Sequence, residues 1–181
     1  MWTRSHRMVP IGASLVGITA LLIVSAGPAD ADPSASTTVT FAVTAATLDI
    51  TAPATATLTN VAPGDTATGS LADTVVTDGR AATDASWTAT VLSTAFTSGS
   101  QSIPASDVRY SSGSPTATTG NGAFNAGATV TPDATAPEAT AFSHTGGTGN
   151  NTSTWSPTLS VIVPLGTSEG TFTGTVTQSV A

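Results

Sequence analysis

The end of the chain, Thr154–Ala181, carries the pattern that most restricts the fold. Apolar residues occupy alternate positions in both of its arms: Trp155, Leu159, Val161 and Val163 in the first, and Phe172, Val176 and Val180 in the second. Successive side chains of a β-strand point to opposite faces, so this alternation is typical of strands that bury one face. Because a Gly-containing loop, LGTSEG, joins the arms, the segment is predicted to form an antiparallel hairpin.

The remainder of the chain is built from the same kinds of residue. Thr is frequent, whereas aromatic residues make up only 5% of the chain and charged residues 8%. Thr and Val favour a pleated, half-buried surface, and long helices are hard to build from them. Strand-like runs recur every 8–12 residues or so, with Gly, Pro and Asp signals between them. The predicted fold class is all-β: a single antiparallel β-sandwich, Ig-like or jelly-roll-like, over residues 32–181.

Several elements of this sandwich can be placed along the sequence. Thr37–Ala45 alternates through Val39, Phe41 and Val43 and is predicted to be the first strand. Leu48 and Ile50 follow on the opposite parity, which suggests a bulge or a crossing between sheets near Ala45. Ser111–Asn125 is rich in Ser, Gly and Thr and is predicted to be a long exposed loop. Thr140–Ser143 is predicted to pair at a sheet edge.

The first 31 residues have the three parts of a secretory signal peptide. Arg4 and Arg7 give a positive start, an apolar run extends over Val9–Ala26, and Ala29-Asp30-Ala31 is a small-x-small cleavage pattern. Cleavage is expected after Ala31, which predicts a secreted protein. The alternative is an uncleaved membrane anchor, since about 18 apolar residues approach the length that spans a bilayer. Pro10, Gly12 and Gly17 interrupt that run.

Charge and cysteine content exclude several functions. The whole chain has a formal net charge of −7. Without the leader, 2 basic and 10 acidic residues remain, and 2 − 10 gives −8. Nucleic-acid binding requires a basic patch, and anionic lipid also attracts basic residues. Neither nucleic acid nor, after cleavage of the leader, a membrane is therefore expected as a partner. The chain has no cysteine, which excludes disulfides, thiol chemistry and Cys metal sites.

Three stretches resemble a known group of surface proteins. They are SWTATV at Ser86–Val91, IPASDVRY at Ile103–Tyr110, and TWSPTLSVIVP from Thr154 onward. They resemble small secreted proteins of actinobacteria that are similar to the WxL-domain surface proteins of Gram-positive bacteria. Here the tryptophans stand in Trp-Thr-Ala and Trp-Ser-Pro instead of Trp-x-Leu. The resemblance implies a β-rich module that associates non-covalently with the cell wall or with partner surface proteins.

Trp87, Trp155 and Tyr110 are the candidate binding or core aromatics. Both tryptophans share parity with the apolar residues of their strands, which favours a place in the core. The alternative is an aromatic platform that binds glycan strands. Gly174 interrupts the last strand, and an indole from Trp155 is expected to cover it, as aromatic side chains do at other strand glycines.

The polar residues suggest no catalytic site. His144 lies beside Thr145-Gly146-Gly147 without a nucleophile motif and is predicted to be a surface loop residue. Asp73, Asp78 and Asp84 could together hold Ca²⁺, although their spacing fits no EF-hand. An ion pair between Asp78 and Arg80 across Gly79 is the simpler interpretation. No cofactor and no enzymatic activity are expected.

The predicted function is therefore that of a secreted, non-enzymatic cell-surface protein that binds peptidoglycan or another surface protein. The alternative is a structural subunit of an extracellular assembly, because a terminal strand can add to the exposed sheet edge of a neighbour.

Overall fold

A computed structural model describes residues 34–44, 46–133 and 138–181. The predicted leader, Met1–Ala31, lies outside the described residues, as does Ala45. The described part contains thirteen β-strands and one 3-10 turn at Ala105–Asp107, with no α-helix. It contains no helix of the length and apolar character that a membrane crossing requires.

The strands are short and follow one another closely. In chain order they are β1 (Leu48–Thr51), β2 (Thr66–Ser70), β3 (Thr74–Asp78), β4 (Trp87–Ser93), β5 (Phe96–Ser98), β6 (Gln101–Ile103), β7 (Val108–Ser111), β8 (Pro115–Thr119), β9 (Ala123–Ala126), β10 (Ala139–Thr145), β11 (Asn151–Trp155), β12 (Thr158–Ile162) and β13 (Val176–Val180).

These strands form antiparallel sheets. One has the order β1-β3-β11-β8, a second β13-β4-β10-β9 and a third β2-β12-β7, while β5 and β6 form a two-stranded ribbon. The chain runs directly between the first and third sheets three times, from β2 to β3, from β7 to β8 and from β11 to β12. Residues 71–73 separate β2 from β3, and Ala72 there adopts a left-handed backbone with φ of 58°.

Apolar side chains from facing sheets meet between them. One buried cluster surrounds Trp155 and joins Val76 of β3 to Trp87, Ala89 and Phe142 of β4 and β10. The other surrounds Tyr110 of β7 and includes Val91, Ile103, Val108, Ala141, Leu159 and Val161. In β4 the inward positions are buried and the alternate ones are exposed or half-buried, as period two requires. The predicted all-β sandwich is confirmed.

The predicted C-terminal hairpin is wrong. The alternation in each arm is present, with Trp155, Leu159 and Val161 buried. However, β12 pairs with β2 and β7, whereas β13 pairs with β4 in the facing sheet. Period two identifies the face that a strand buries but not the strand with which it pairs. The thirteen residues between β12 and β13 carry the chain from one sheet to the other.

Three further predictions need correction. Thr37–Ala45 is not a strand in its described residues, which are all exposed, although Leu48 and Ile50 are half-buried in β1 as expected. Ser111–Asn125 is not a loop, because it contributes β8 and most of β9. Thr140–Ser143 is not at an edge, because β10 lies between β4 and β9.

Two compact units divide at Phe41. Residues 42–181 form the unit that contains all the described strands. The described part of the preceding unit, residues 34–41, is exposed and outside any strand.

Candidate functional site

The three candidate aromatics are all buried. The ring of Trp155 stacks on Phe142 at a centroid distance of 4.6 Å, and Trp87 lies 6.2 Å from the same ring. Tyr110 lies in the second core cluster. The faces of both indoles are covered by protein, so neither can act as an exposed platform for a glycan strand. All three side chains belong to the core.

A chain of hydrogen bonds ties Tyr110 to three other strands. Trp155 Nε1 donates to the Tyr110 hydroxyl at 3.1 Å, and that hydroxyl donates to Gln178 Oε1 at 2.8 Å. Gln178 Nε2 in turn donates to Thr74 Oγ1 at 3.1 Å. Buried polar atoms require such partners, because an unpaired one keeps the full cost of losing water. The chain connects the two facing sheets through the core.

Tyr110 is expected to ionise only in strong alkali. Burial raises the pKa of its hydroxyl to about 12, against an ordinary value of 10.0, and donation from Trp155 offsets this in part. Since the folded chain holds the proton more tightly than the unfolded chain, the stability that depends on this proton is complete below pH 10 and falls from about pH 10 to 12. Tyr110 is the only tyrosine, so ultraviolet titration of tyrosinate reports it alone. A midpoint near 10 in folded protein, equal to that of a urea-unfolded control, would contradict its burial.

A second buried network surrounds Asp78. Arg80 donates to this carboxylate from Nε and Nη2, each at 2.9 Å, and its Nη2 also donates to the Ser86 carbonyl. Asn151 Nδ2 donates to Asp78 at 3.3 Å and its Oδ1 accepts from Trp87 Nε1 at 2.8 Å. The Arg80 guanidinium holds the pKa of Asp78 below its ordinary value of 3.8. The expected Asp78–Arg80 ion pair is thus present and is anchored to the aromatic core.

The three aspartates considered for calcium each have separate partners. Asp73 accepts from the Ser156 hydroxyl, and Asp84 accepts from the backbone and hydroxyl of Ser86. The Ser86 bonds lower the pKa of Asp84. Across the described ranges, no three acidic or histidine side chains gather closely enough to hold a metal ion. The clustering that calcium requires is not observed for Asp73, Asp78 and Asp84.

His144 is buried in β10, so the prediction of a surface loop histidine is wrong. Its Nδ1 lies 2.9 Å from the Ala85 carbonyl and its Nε2 lies 2.8 Å from the Asn121 carbonyl. The ring also packs on Phe124, with 4.4 Å between centroids. Asn121 is 23 positions away and Ala85 is 59, so nothing in the local sequence indicated either contact. The imidazole thereby joins two loops that lie far apart in the sequence.

An open groove lies between residues 56–61 and 167–174, which belong to no named strand. They line a cavity of about 600 Å³, and residues 52–56 and 173–176 line a second cavity of about 370 Å³ that shares Leu58, Phe96 and Gly174 with the first. The apolar lining of the larger cavity includes Leu58, Phe96, Val161, Val163 and Phe172. We call the two cavities together the edge groove.

Gly174 lies in the wall of the edge groove. The expected aromatic cover is present, but it comes from Phe96 and not from Trp155. A Cβ built on Gly174 would lie 2.8 Å from Phe96 Cδ2, closer than real side chains approach. The glycine therefore lets the Phe96 ring lie against the strand backbone and form part of the groove.

Residues 37–44, which we call the donor segment, carry a row of exposed apolar side chains. Val39, Phe41 and Val43 are 79%, 86% and 86% exposed. They alternate with exposed Thr38, Thr40 and Ala42, and no strand includes them. The alternation was visible in the sequence, whereas the exposure of these side chains was not. An apolar row at strand spacing is suited to one face of a sheet.

Comparison with protein-family models, with curated proteins and with solved structures gives no match for this chain. The resemblance to WxL-domain surface proteins therefore stays a prediction that rests on the three sequence stretches named above. What the protein does must be argued from its own geometry. Two features of the described residues offer apolar surface to a partner, namely the donor segment and the edge groove.

Proposed function

We propose that the protein is a non-enzymatic structural subunit of an extracellular assembly, attached to its neighbour by strand addition through the donor segment. One observation carries the proposal: Val39, Phe41 and Val43 are exposed at strand spacing, and no described strand pairs with them. In strand addition an extended segment pairs with the edge of another sheet, and its alternate side chains enter apolar sites. The donor segment has the alternation that this mode requires.

The energetic argument is that water exposure of this row is unfavourable. Burying a Val or Phe side chain gains about 1.5–3 kcal/mol relative to leaving it exposed. Scattered apolar residues on a surface are ordinary, but three at alternate positions of one segment would share one face of an added strand, which another surface can cover. The threonines between them suit the opposite, solvated face of an added strand.

The polar groups that could carry chemistry serve the fold, which supports a structural role. The imidazole of His144 is held between two backbone carbonyls. The carboxylate of Asp78 is bound by Arg80 and Asn151. Both groups are buried, and groups so placed lack access to a substrate.

The test is a substitution in the donor segment. Phe41→Asp places a charge where an apolar contact is needed and is expected to abolish high-mass species in size-exclusion chromatography and light scattering. Leu165→Asp is the matched control, because Leu165 is equally exposed, at 87%, and lies outside the donor segment. The control is expected to assemble like wild type.

The same proteins also test the role that the resemblance implies. Each is passed over purified peptidoglycan, and retention of monomer that Phe41→Asp leaves unchanged would favour wall binding over assembly. Equal assembly by Phe41→Asp and wild type would overturn the proposed function.

A further inference from the structure

We infer that the neighbour is a second copy of this chain, and that its edge groove receives the donor segment. This inference rests on the proposed function, and it adds the identity of the partner and the surface that accepts the strand. The contact would place Val39, Phe41 and Val43 of one copy against the apolar lining of the other, near Leu58 and Phe96.

The groove includes part of an edge strand. Val176 and Gln178 of β13 line its smaller cavity, and β13 is the outer strand of its sheet. An extended segment that enters the groove would therefore lie beside a sheet edge, where strand addition takes place. At about 3.3 Å per residue, the eight residues of the donor segment span about 26 Å as a strand.

The charges also agree. The chain has a formal net charge of −7, so two copies repel each other over most of their surfaces. Residues 34–44 contain no charged side chain, and Glu169 is the one charged residue among those that line the groove. Two acidic copies can therefore approach each other through the uncharged segment and the nearly uncharged groove, where few like charges repel.

Phe41 would supply the largest single part of the contact, since an aromatic side chain buries about 150–250 Å². Because donor and acceptor are different surfaces of the same molecule, the contact is heterologous. Each copy then offers a free segment at one end and a free groove at the other, so growth is open-ended.

Cysteine pairs test the inference directly, because the chain has no cysteine of its own. Val43→Cys protein is mixed with Thr173→Cys protein under mild oxidation. Thr173 is exposed in the groove wall, and docking raises the local thiol concentration to roughly the millimolar range. We expect at least about tenfold more disulfide-linked heterodimer than with Thr118→Cys, an exposed control in β8. Adding Phe41→Asp to the Val43→Cys chain should reduce the yield to that of the control.

The outcomes separate this inference from the proposed function. If assembly depends on Phe41 but neither Thr173→Cys nor Thr57→Cys in the groove wall crosslinks, the acceptor lies elsewhere, and the inference fails while the proposed function stands. A chain that carries both Val43→Cys and Thr173→Cys tests whether the segment fills its own groove. If this chain closes a disulfide within itself, and the two single-cysteine chains form no heterodimer when mixed, the inference fails. If Phe41→Asp leaves assembly intact, the proposed function fails first.

Discussion

Replacing Trp155 by alanine is expected to lower the free energy of unfolding by about 3–5 kcal/mol, the range for removing a buried tryptophan. The side chain is fully buried and stacks on Phe142. Its removal leaves a cavity between the facing sheets and takes a donor from the Tyr110 hydroxyl. Urea unfolding followed by circular dichroism measures the change.

A conservative variant separates packing from hydrogen bonding at this position. Trp155→Phe keeps a ring against Phe142 but removes the Nε1–H that donates to Tyr110. Loss of one hydrogen bond is expected to cost about 1 kcal/mol, with an additional packing cost for the smaller ring that stays well below that of alanine. A loss under 1 kcal/mol for Trp155→Ala would show that this indole is not in the core.

Replacing Arg80 by methionine is expected to lower the free energy of unfolding by about 2–3 kcal/mol. Removing one partner of a buried ion pair costs about 3–5 kcal/mol, because the other charge stays buried without compensation. Asp78 is fully buried, but the Arg80 side chain is 33% exposed, so water reduces the effect. Asn151 would then be the remaining side-chain donor to the carboxylate that the structure shows.

Arg109→Met is the matched control. Arg109 donates to the carbonyls of Ser106 and Val108 but to no carboxylate in the bonds that the structure describes, so its loss is expected to cost under about 1 kcal/mol. Equal losses for Arg80→Met and Arg109→Met would contradict the role of the Asp78 pair.

The pH dependence of the Arg80 effect follows from the pKa of Asp78. That pKa is lower in the folded chain than its ordinary value of 3.8, so the pair contributes fully at pH values above the unfolded pKa. The contribution is lost as the pH falls through the folded pKa. The difference in stability between wild type and Arg80→Met should therefore narrow below about pH 4, as measured by urea unfolding at several pH values.

Alternation in the sequence predicted the buried side chains of β4, β11 and β12, but it could not predict strand pairing. Trp155, Leu159 and Val161 face the core as expected, and so does Trp87. Pairing depends on contacts between distant residues, such as Val180 with Ala89, and no local pattern encodes them. The Ser, Gly and Thr residues of 111–125 predicted a loop, but β8 forms there. β8 is an outer strand that is mostly exposed, and such a strand needs few apolar residues.

The candidate site was less predictable from sequence than the fold. The alternation at Val39, Phe41 and Val43 was evident, but a strand with a partner and one without have the same sequence pattern. The edge groove is formed by residues far apart in the chain, including Leu58, Phe96 and Phe172, and only folding brings them together. His144 was misplaced for a similar reason, because the carbonyl groups that bind it come from two distant loops.

The position of Gln178 in the core network has a consequence for the order of folding. Its amide binds Thr74, 104 positions earlier, and β13 completes one edge of the sheet that contains β4. Contacts between residues so far apart form slowly, because a long loop of chain must close before they stabilise anything. β13 must be synthesised before the two sheets can be joined through this bond. Until then the edge of β4 that pairs with β13 stays uncovered.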